Sequence, residues 1–255
     1  MPLIALTRPV PRSLEACELT HLERTPIDVV RAAAQHEAYE HALRSLGCSV
    51  LRIPASPDHP DSVFVEDTAV VLDEVAIITR PGAQSRRGET AAVAQSLSHH
   101  RELRWISEPA TMDGGDVLRL GRVLYVGIGS RTNGAAVEQL RGHLTPFGYE
   151  VEALDVDGCL HLKSAVTELR PGLVLINPAW VEARRFASHQ AIETDPGEPF
   201  AANVLRIGDD VLSAAAHERT NARLRSAGLG VAIVDVSELA KAEAGLTCCS
   251  LIFGA

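Results

Sequence analysis

A chain of 255 residues with 46% hydrophobic and 22% charged residues can bury a sizeable core and has the balance of a globular protein. Its formal charge of −9 argues against a nucleic-acid partner and favours cationic ligands. No apolar run reaches membrane-spanning length, and the start Met-Pro-Leu-Ile-Ala-Leu-Thr-Arg lacks the basic opening of a signal peptide. The five cysteines form no C-x-x-C pair, so reduced thiols and a cytoplasmic setting are expected.

Pro2–Thr7 reads as a short strand, followed by a loop over residues 8–24 rich in charge and proline. Thr25 has the chemistry of an N-cap and Pro26 suits the first helical position, which predicts a helix over residues 26–46. Ser49–Ile53 is a strand, and an acidic loop follows it. Ala69–Leu72 and Val75–Thr79 make a hairpin around Asp73-Glu74, with a helix predicted over residues 89–98. The same grammar returns in the hairpins Val117–Leu120 with Val123–Val126, Ala165–Leu169 with Leu173–Ile176, and Val204–Ile207 with Val211–Ala214. Helices are predicted after them over residues 133–144, 179–187 and 218–227, and further strands at Leu103–Ile106, Tyr149–Val156 and Val231–Val236.

Hairpins recurring at roughly 40–50 residues describe repeated units. A strand at Cys249–Phe253 lying beside Leu3–Leu6 would supply a fifth pair and close a ring without exposed edges. The expected architecture is therefore α/β, five modules around an axis, in a single domain over residues 1–255. Periodicity by itself also admits a mixed α/β sandwich.

Five stretches carry the chemistry. Asp61-Ser62-Val63-Phe64-Val65-Glu66-Asp67 flanks an apolar run with acids. Strand alternation would send Phe64 and Glu66 to one face and Val65 and Asp67 to the other, and a carboxylate near low-dielectric surroundings needs a cationic partner. Ser85-Arg86-Arg87-Gly88 precedes a helix start, where backbone amides can assist a guanidinium in holding an anion; a plain surface loop is the alternative. Asp113-Gly114-Gly115-Asp116 sets a glycine pair between two acids, which suits close approach to a ligand or simply a tight turn, and its spacing does not match an EF-hand. His161 sits between leucines in strand-like alternation, as a catalyst or as a satisfied core residue. With Cys159 and Cys248 or Cys249 it could also offer zinc ligands, though without the usual spacing. Last, Gly245 turns the chain into Leu246-Thr247-Cys248-Cys249-Ser250, where Cys248 is either a thiol aimed from a strand's mouth or core filling.

Taken together, Phe64-Val65-Glu66-Asp67, Thr79-Arg80-Pro81-Gly82-Ala83, Ser85-Arg86-Arg87, Asp113-Gly114-Gly115-Asp116, Arg131-Thr132-Asn133, Leu160-His161-Leu162-Lys163-Ser164, Ala201-Ala202-Asn203 and Thr247-Cys248-Cys249-Ser250 resemble the dimethylarginine dimethylaminohydrolase family, in its order, from about residue 14 to residue 252. The resemblance implies the five-bladed pseudo-symmetric α/β propeller of the guanidine-modifying (pentein) superfamily. It implies Cys248 as nucleophile, His161 as general acid and base, and Asp113 as the imidazole's acidic partner, where some members carry Glu. It maps substrate contacts to Asp61, Glu66 and Asp67 on the acidic side and to Arg86 and Arg131 on the carboxylate side. Leu19 and Ala242 also map there, although Lys241-Ala242-Glu243-Ala244-Gly245 departs from the larger residue and the glycine placement expected of the family.

The implied reaction is hydrolysis of a methylated arginine to citrulline and a methylamine, with Asp67 and Asp113 holding the guanidinium against Cys248. It needs no cofactor and no metal, and zinc on Cys248 would inhibit. Its partner is a small molecule, with no nucleic acid and no membrane, and a homodimer is left open. An arginine deiminase is the nearest rival, followed by a cationic amino-acid or zinc-binding protein.

Overall fold

In the computed structural model, which describes residues 2–255, each strand triplet obeys one rule: two antiparallel strands, then a third lying parallel to the second. The chain opens with β1 (Leu3–Thr7), α1 (Val29–Ser45) and β2 (Cys48–Arg52), with β1 and β2 parallel. The next unit is β3 (Ala69–Val71), β4 (Val75–Ile78), α2 (Thr90–Leu97) and β5 (Glu102–Trp105). The third is β6 (Val117–Leu120), β7 (Val123–Ile128), α3 (Gly134–Leu144) and β8 (Glu150–Asp155). After the single turn α4 (Leu162–Ala165) come β9 (Val166–Arg170), β10 (Leu173–Ile176) and β11 (Gln190–Glu193). The fifth holds β12 (Leu205–Ile207), β13 (Asp210–Ala214), α5 (Glu218–Ser226) and β14 (Gly230–Val234). The short α6 (Ser237–Ala240) then leads to β15 (Leu251–Gly254), which pairs antiparallel with β1 from Leu3↔Gly254 to Leu6↔Leu251. The result is a five-bladed pseudo-symmetric α/β propeller whose first blade is completed by the last strand of the chain. Among the described residues no helix is long and apolar enough to cross a membrane.

Five hydrophobic clusters lie between successive blades. Leu72, Val75 and Ile77 meet Val117, Leu124 and Val126, whereas Leu118, Leu120 and Tyr125 meet Val166, Val174 and Ile176. Neighbouring residues of one strand thus enter different clusters, so both faces of a blade are buried. That accounts for near-continuous apolar strands such as Val75–Ile78 and Leu173–Ile176, which a one-sided sheet would not need.

Four local expectations differ from what forms. The first helix begins at Val29, not at 26, because the Asp28 side chain accepts from Arg31 N at 3.0 Å and supplies the N-cap. Residues 179–187 form only a 3₁₀ segment, Ala183–Phe186, because the span between β10 and β11 is short and opens on Asn177-Pro178. β11 was not predicted, since its edge position leaves three of its four residues exposed and its sequence polar. Finally, Val65–Thr68 and Thr247–Cys249 are 3₁₀ turns, and His161 immediately precedes a helical turn; none is strand.

Each blade's first strand is preceded by one such turn: Val65–Thr68, Gly114–Asp116, α4, Pro199–Ala202 and Thr247–Cys249. These five turns meet at the axis and fasten to one another. Asn203 closes the ring on one side, donating to Lys163 O (3.0 Å) and Thr247 Oγ1 (3.1 Å) and accepting from Thr247 N (3.0 Å). Asn203→Ala would take this partner from Thr247 N and Lys163 O and is expected to cost about 2–4 kcal/mol. Urea unfolding checks this, with the midpoint expected to fall and the slope unchanged.

Candidate active site

The axial turns bring Asp67, Asp113, His161 and Cys248 towards one end of the ring. His161 is buried, with Nε2 at 3.1 Å from Asp113 Oδ2 and Nδ1 at 3.9 Å from Asp67 Oδ1. Asp113 is fixed in turn by Gly82 N on its other oxygen (2.9 Å). Asp67 is fixed by Gly115 N (3.0 Å) and by Arg86 Nη1 (2.5 Å). A Cβ on Gly115 would lie 2.7 Å from His161 Nδ1 and 2.9 Å from Asp67 Oδ1, so that position requires glycine. Its partner Gly114 is just as constrained, because a Cβ there would lie 2.1 Å from Glu66 O.

Burial alone would lower the pKa of His161. Asp67, Asp116 and Asp113 outweigh it and push the imidazole up to about 9, so it is an imidazolium at neutral pH. Burial also works against ionised Asp67, yet His161 and Arg86 hold its carboxyl well below the usual range. Cys248 is partly exposed while the other four thiols are buried. Its surroundings raise its pKa well above that of a free thiol, through burial first and then the charges of Glu66 and Asp67; Gly245 N, 3.3 Å from the sulfur, opposes them. The resting site therefore pairs a neutral thiol with a charged imidazole, in a field of carboxylates that rewards an incoming cation.

A cavity of about 350 Å³, counting its open mouth, is lined by Cys248, His161, Asp61, Asp67, Arg86 and Arg131, with Glu18, Phe64, Leu160, Ala242, Glu243 and Ala244 completing the wall. Most of the predicted site residues thus meet in one place, but three do not line it. Glu66 turns to the opposite end of the axis, where Lys163 Nζ (2.5 Å) and Thr247 Oγ1 (2.6 Å) bind its carboxylate beside a second cavity. Asp113 is fully buried behind His161, so Asp61 rather than Asp113 shares the cavity wall with Asp67. Leu19 packs against the apolar cluster under α1, and its neighbour Glu18 lines the wall instead. The two arginines also differ. Arg86 is buried, its guanidinium committed to Asp67, to Glu89 and to the carbonyls of Asp61 and Phe64. Among the described residues Arg131 makes a single side-chain bond, to Thr20 Oγ1 at 3.1 Å, and so keeps donors for an anion.

Sequence reasoning assigned no role to four supporting residues. Asp116 is buried and accepts from Thr132 Oγ1 (2.6 Å) and from Leu162 N (3.1 Å), the amide next to His161; burial raises its carboxyl to about 6. Thr132 also accepts from Asp113 N at 3.1 Å, which ties both acids to one hydroxyl. Glu89 neutralises Arg86, and Asn203 anchors the turn that carries Cys248. The recurrence of acid at both ends of Asp113-Gly114-Gly115-Asp116 was the visible signal for Asp116; Glu89 sits three residues after Arg86 on the same turn, a spacing that was available. Donor atoms of Asp67, Asp113 and His161 lie within 4.8 Å of one another. Cys159 does not join them: its sulfur lies 3.4 Å from His161 O, and burial first, then Asp116, pushes the thiol up to about 12.

Residues 22–168 match the profile of the family described as "N,N dimethylarginine dimethylhydrolase, eukaryotic". The chain is 43% identical over 246 residues to the N(G),N(G)-dimethylarginine dimethylaminohydrolase of Streptomyces coelicolor, covering 96% of this chain and 94% of the relative. Among solved structures it resembles a Cys-to-Ser mutant of the Pseudomonas aeruginosa dimethylarginine dimethylaminohydrolase complexed with citrulline, with a TM-score of 0.94 and 32% identity over 98% of each chain. It equally resembles a His-to-Gly dimethylarginine dimethylaminohydrolase as its adduct with S-methyl-L-thiocitrulline, with a TM-score of 0.94 and 32% identity over 99% of this chain and 100% of the other.

The raised pKa of His161 fixes the sign of one pH dependence. The stabilisation it gives is present in full below its unfolded value of 6.5 and is lost as pH rises through about 9. Urea midpoints of the wild type are expected to fall across that window by more than those of His161→Asn, and matching slopes would contradict the assignment.

Proposed function

The chain belongs to the dimethylarginine dimethylaminohydrolase family, and on that premise we propose that it hydrolyses N-omega-methylated L-arginine to L-citrulline and dimethylamine or methylamine. The observation that carries this reading is the shared cavity of a partly exposed thiol, Cys248, and a carboxylate-clamped imidazolium, His161, beside the acids Asp61 and Asp67. We take the whole chain as one catalytic domain, and its free thiols fit a cytoplasmic setting.

In the proposed reaction Asp61 and Asp67 hold the planar guanidinium, and Arg131 takes the substrate carboxylate. The bound cation offsets the negative field around Cys248. The thiol then loses its proton to solvent, since His161 is already protonated. The thiolate attacks the guanidinium carbon. As the carbon–nitrogen bond to the methylated amine breaks, His161 gives its proton to the departing nitrogen. Neutral His161 next removes a proton from water, whose oxygen attacks the thiouronium carbon. As the carbon–sulfur bond breaks, the sulfur leaves as thiolate and takes up the proton that the new hydroxyl gives up, which restores the resting thiol and releases citrulline, while the freed amine takes its second proton from solvent. Asp113 touches no substrate atom in this scheme; it holds the imidazole at Nε2 through the change of charge.

Purified enzyme assayed side by side on arginine, monomethylarginine and asymmetric dimethylarginine decides the substrate class. A methylated substrate is expected to exceed arginine in kcat/KM by at least about tenfold, and the reverse order would move the reading to an arginine deiminase. Cys248→Ser should form no citrulline while still binding substrate, whereas Cys249→Ser should keep most of its activity; equal loss in both would count against Cys248. Arg131→Gln should raise KM by about 10–100-fold, the worth of one charge-assisted contact to a carboxylate.

A further inference from the structure

The segment Ala240–Ala244 ends α6 in a Schellman arrangement. Glu243 N donates to Ala240 O (3.1 Å) and Ala244 N to Leu239 O (3.4 Å). The residue at the centre of that arrangement takes a left-handed conformation and is usually glycine. Here it is Glu243, with φ +57°, the one non-glycine residue at positive φ among the described residues. A side chain held in an unfavourable backbone conformation has to be explained by what it touches.

The Glu243 carboxylate receives three consecutive amides from a distant part of the chain. They are Thr20 N (3.0 and 3.1 Å to the two oxygens), His21 N (2.5 Å) and Leu22 N (2.5 Å). Three adjacent N–H groups converging on one carboxylate make an anion nest. Among the described residues these amides have no other partner, and Thr20 and His21 are exposed. The strap they belong to reaches the cavity at two points: Glu18 lines its wall, and Thr20 Oγ1 accepts from Arg131 Nη2. On the other side of the clasp, Glu243 lines the same wall and stands two residues before Gly245, whose N–H meets the Cys248 sulfur.

We infer that Glu243 is a positioning residue for the hydrolase proposed above, a clasp that holds strap 18–22 over the cavity mouth and, through Thr20, keeps Arg131 aimed at the substrate carboxylate. The strained φ at Glu243 is tolerated because the carboxylate must project from that turn.

Two variants separate the clasp from the backbone strain. Glu243→Gly removes both, and Glu243→Ala removes the carboxylate while keeping the unfavourable φ. Hydrogen exchange at the Thr20, His21 and Leu22 amides should quicken by about tenfold or more in both variants. Tm should be higher for Glu243→Gly than for Glu243→Ala. KM for monomethylarginine should rise several-fold in both, with kcat changed by less than about twofold. Exchange at the three amides within twofold of wild type would overturn the inference. So would a KM that stays at the wild-type value while the amides exchange freely. A wild-type protein that turns over no methylated arginine would instead sink the hydrolase reading, and the exchange rates would still decide the clasp.

Discussion

Antiparallel pairing of β15 with β1 is the contact on which the rest of this molecule depends. It joins the two ends of the chain and converts a row of four blades into a ring. It also fixes one end of the turn Thr247–Cys249, which Asn203 and Glu66 hold at Thr247. The ring then acts as a ruler. Each blade sends one helical turn to the axis, and five turns of similar length fill the centre. Residues 67, 113, 161 and 248 become neighbours although they are spread over most of the sequence.

The electrostatics follow from that crowding. Asp67, Asp113 and Asp116 come from two adjacent turns and surround one imidazole, so its charged form is favoured even in a buried place. The same carboxylates oppose a thiolate at Cys248. In the reaction proposed above, a nucleophile kept protonated until a cation arrives would avoid standing reactivity toward oxidants and stray electrophiles. In that scheme the substrate's charge completes the site on binding.

Much of this was legible in the sequence, and the reasons are specific. Hairpins such as Val117–Leu120 with Val123–Val126 announce themselves through a glycine turn between apolar runs, and their regular return predicted the ring. β11 was invisible because a solvent-facing edge strand has no apolar signature. Alternation misread residues 64–67 and 160–164, since a single helical turn is too short to show its own period. Among the candidate site residues, the motifs that carry them were apparent, but facing directions were not. Glu66 and Asp67 are adjacent, yet one turns to Lys163 at the far end of the axis and the other to His161. Only the turn conformation separates them. Arg86 and Arg131 likewise look alike on paper and differ in how many partners already hold them.

The fourth blade makes do with a 3₁₀ segment where the second, third and fifth carry helices, and the axis is undisturbed. Reactive groups at the hub and connections at the perimeter therefore answer to separate constraints. The outer rim is where such a scaffold can lengthen, shorten or acquire contacts with other molecules, each blade on its own schedule, while the chemistry at the centre stays as it was.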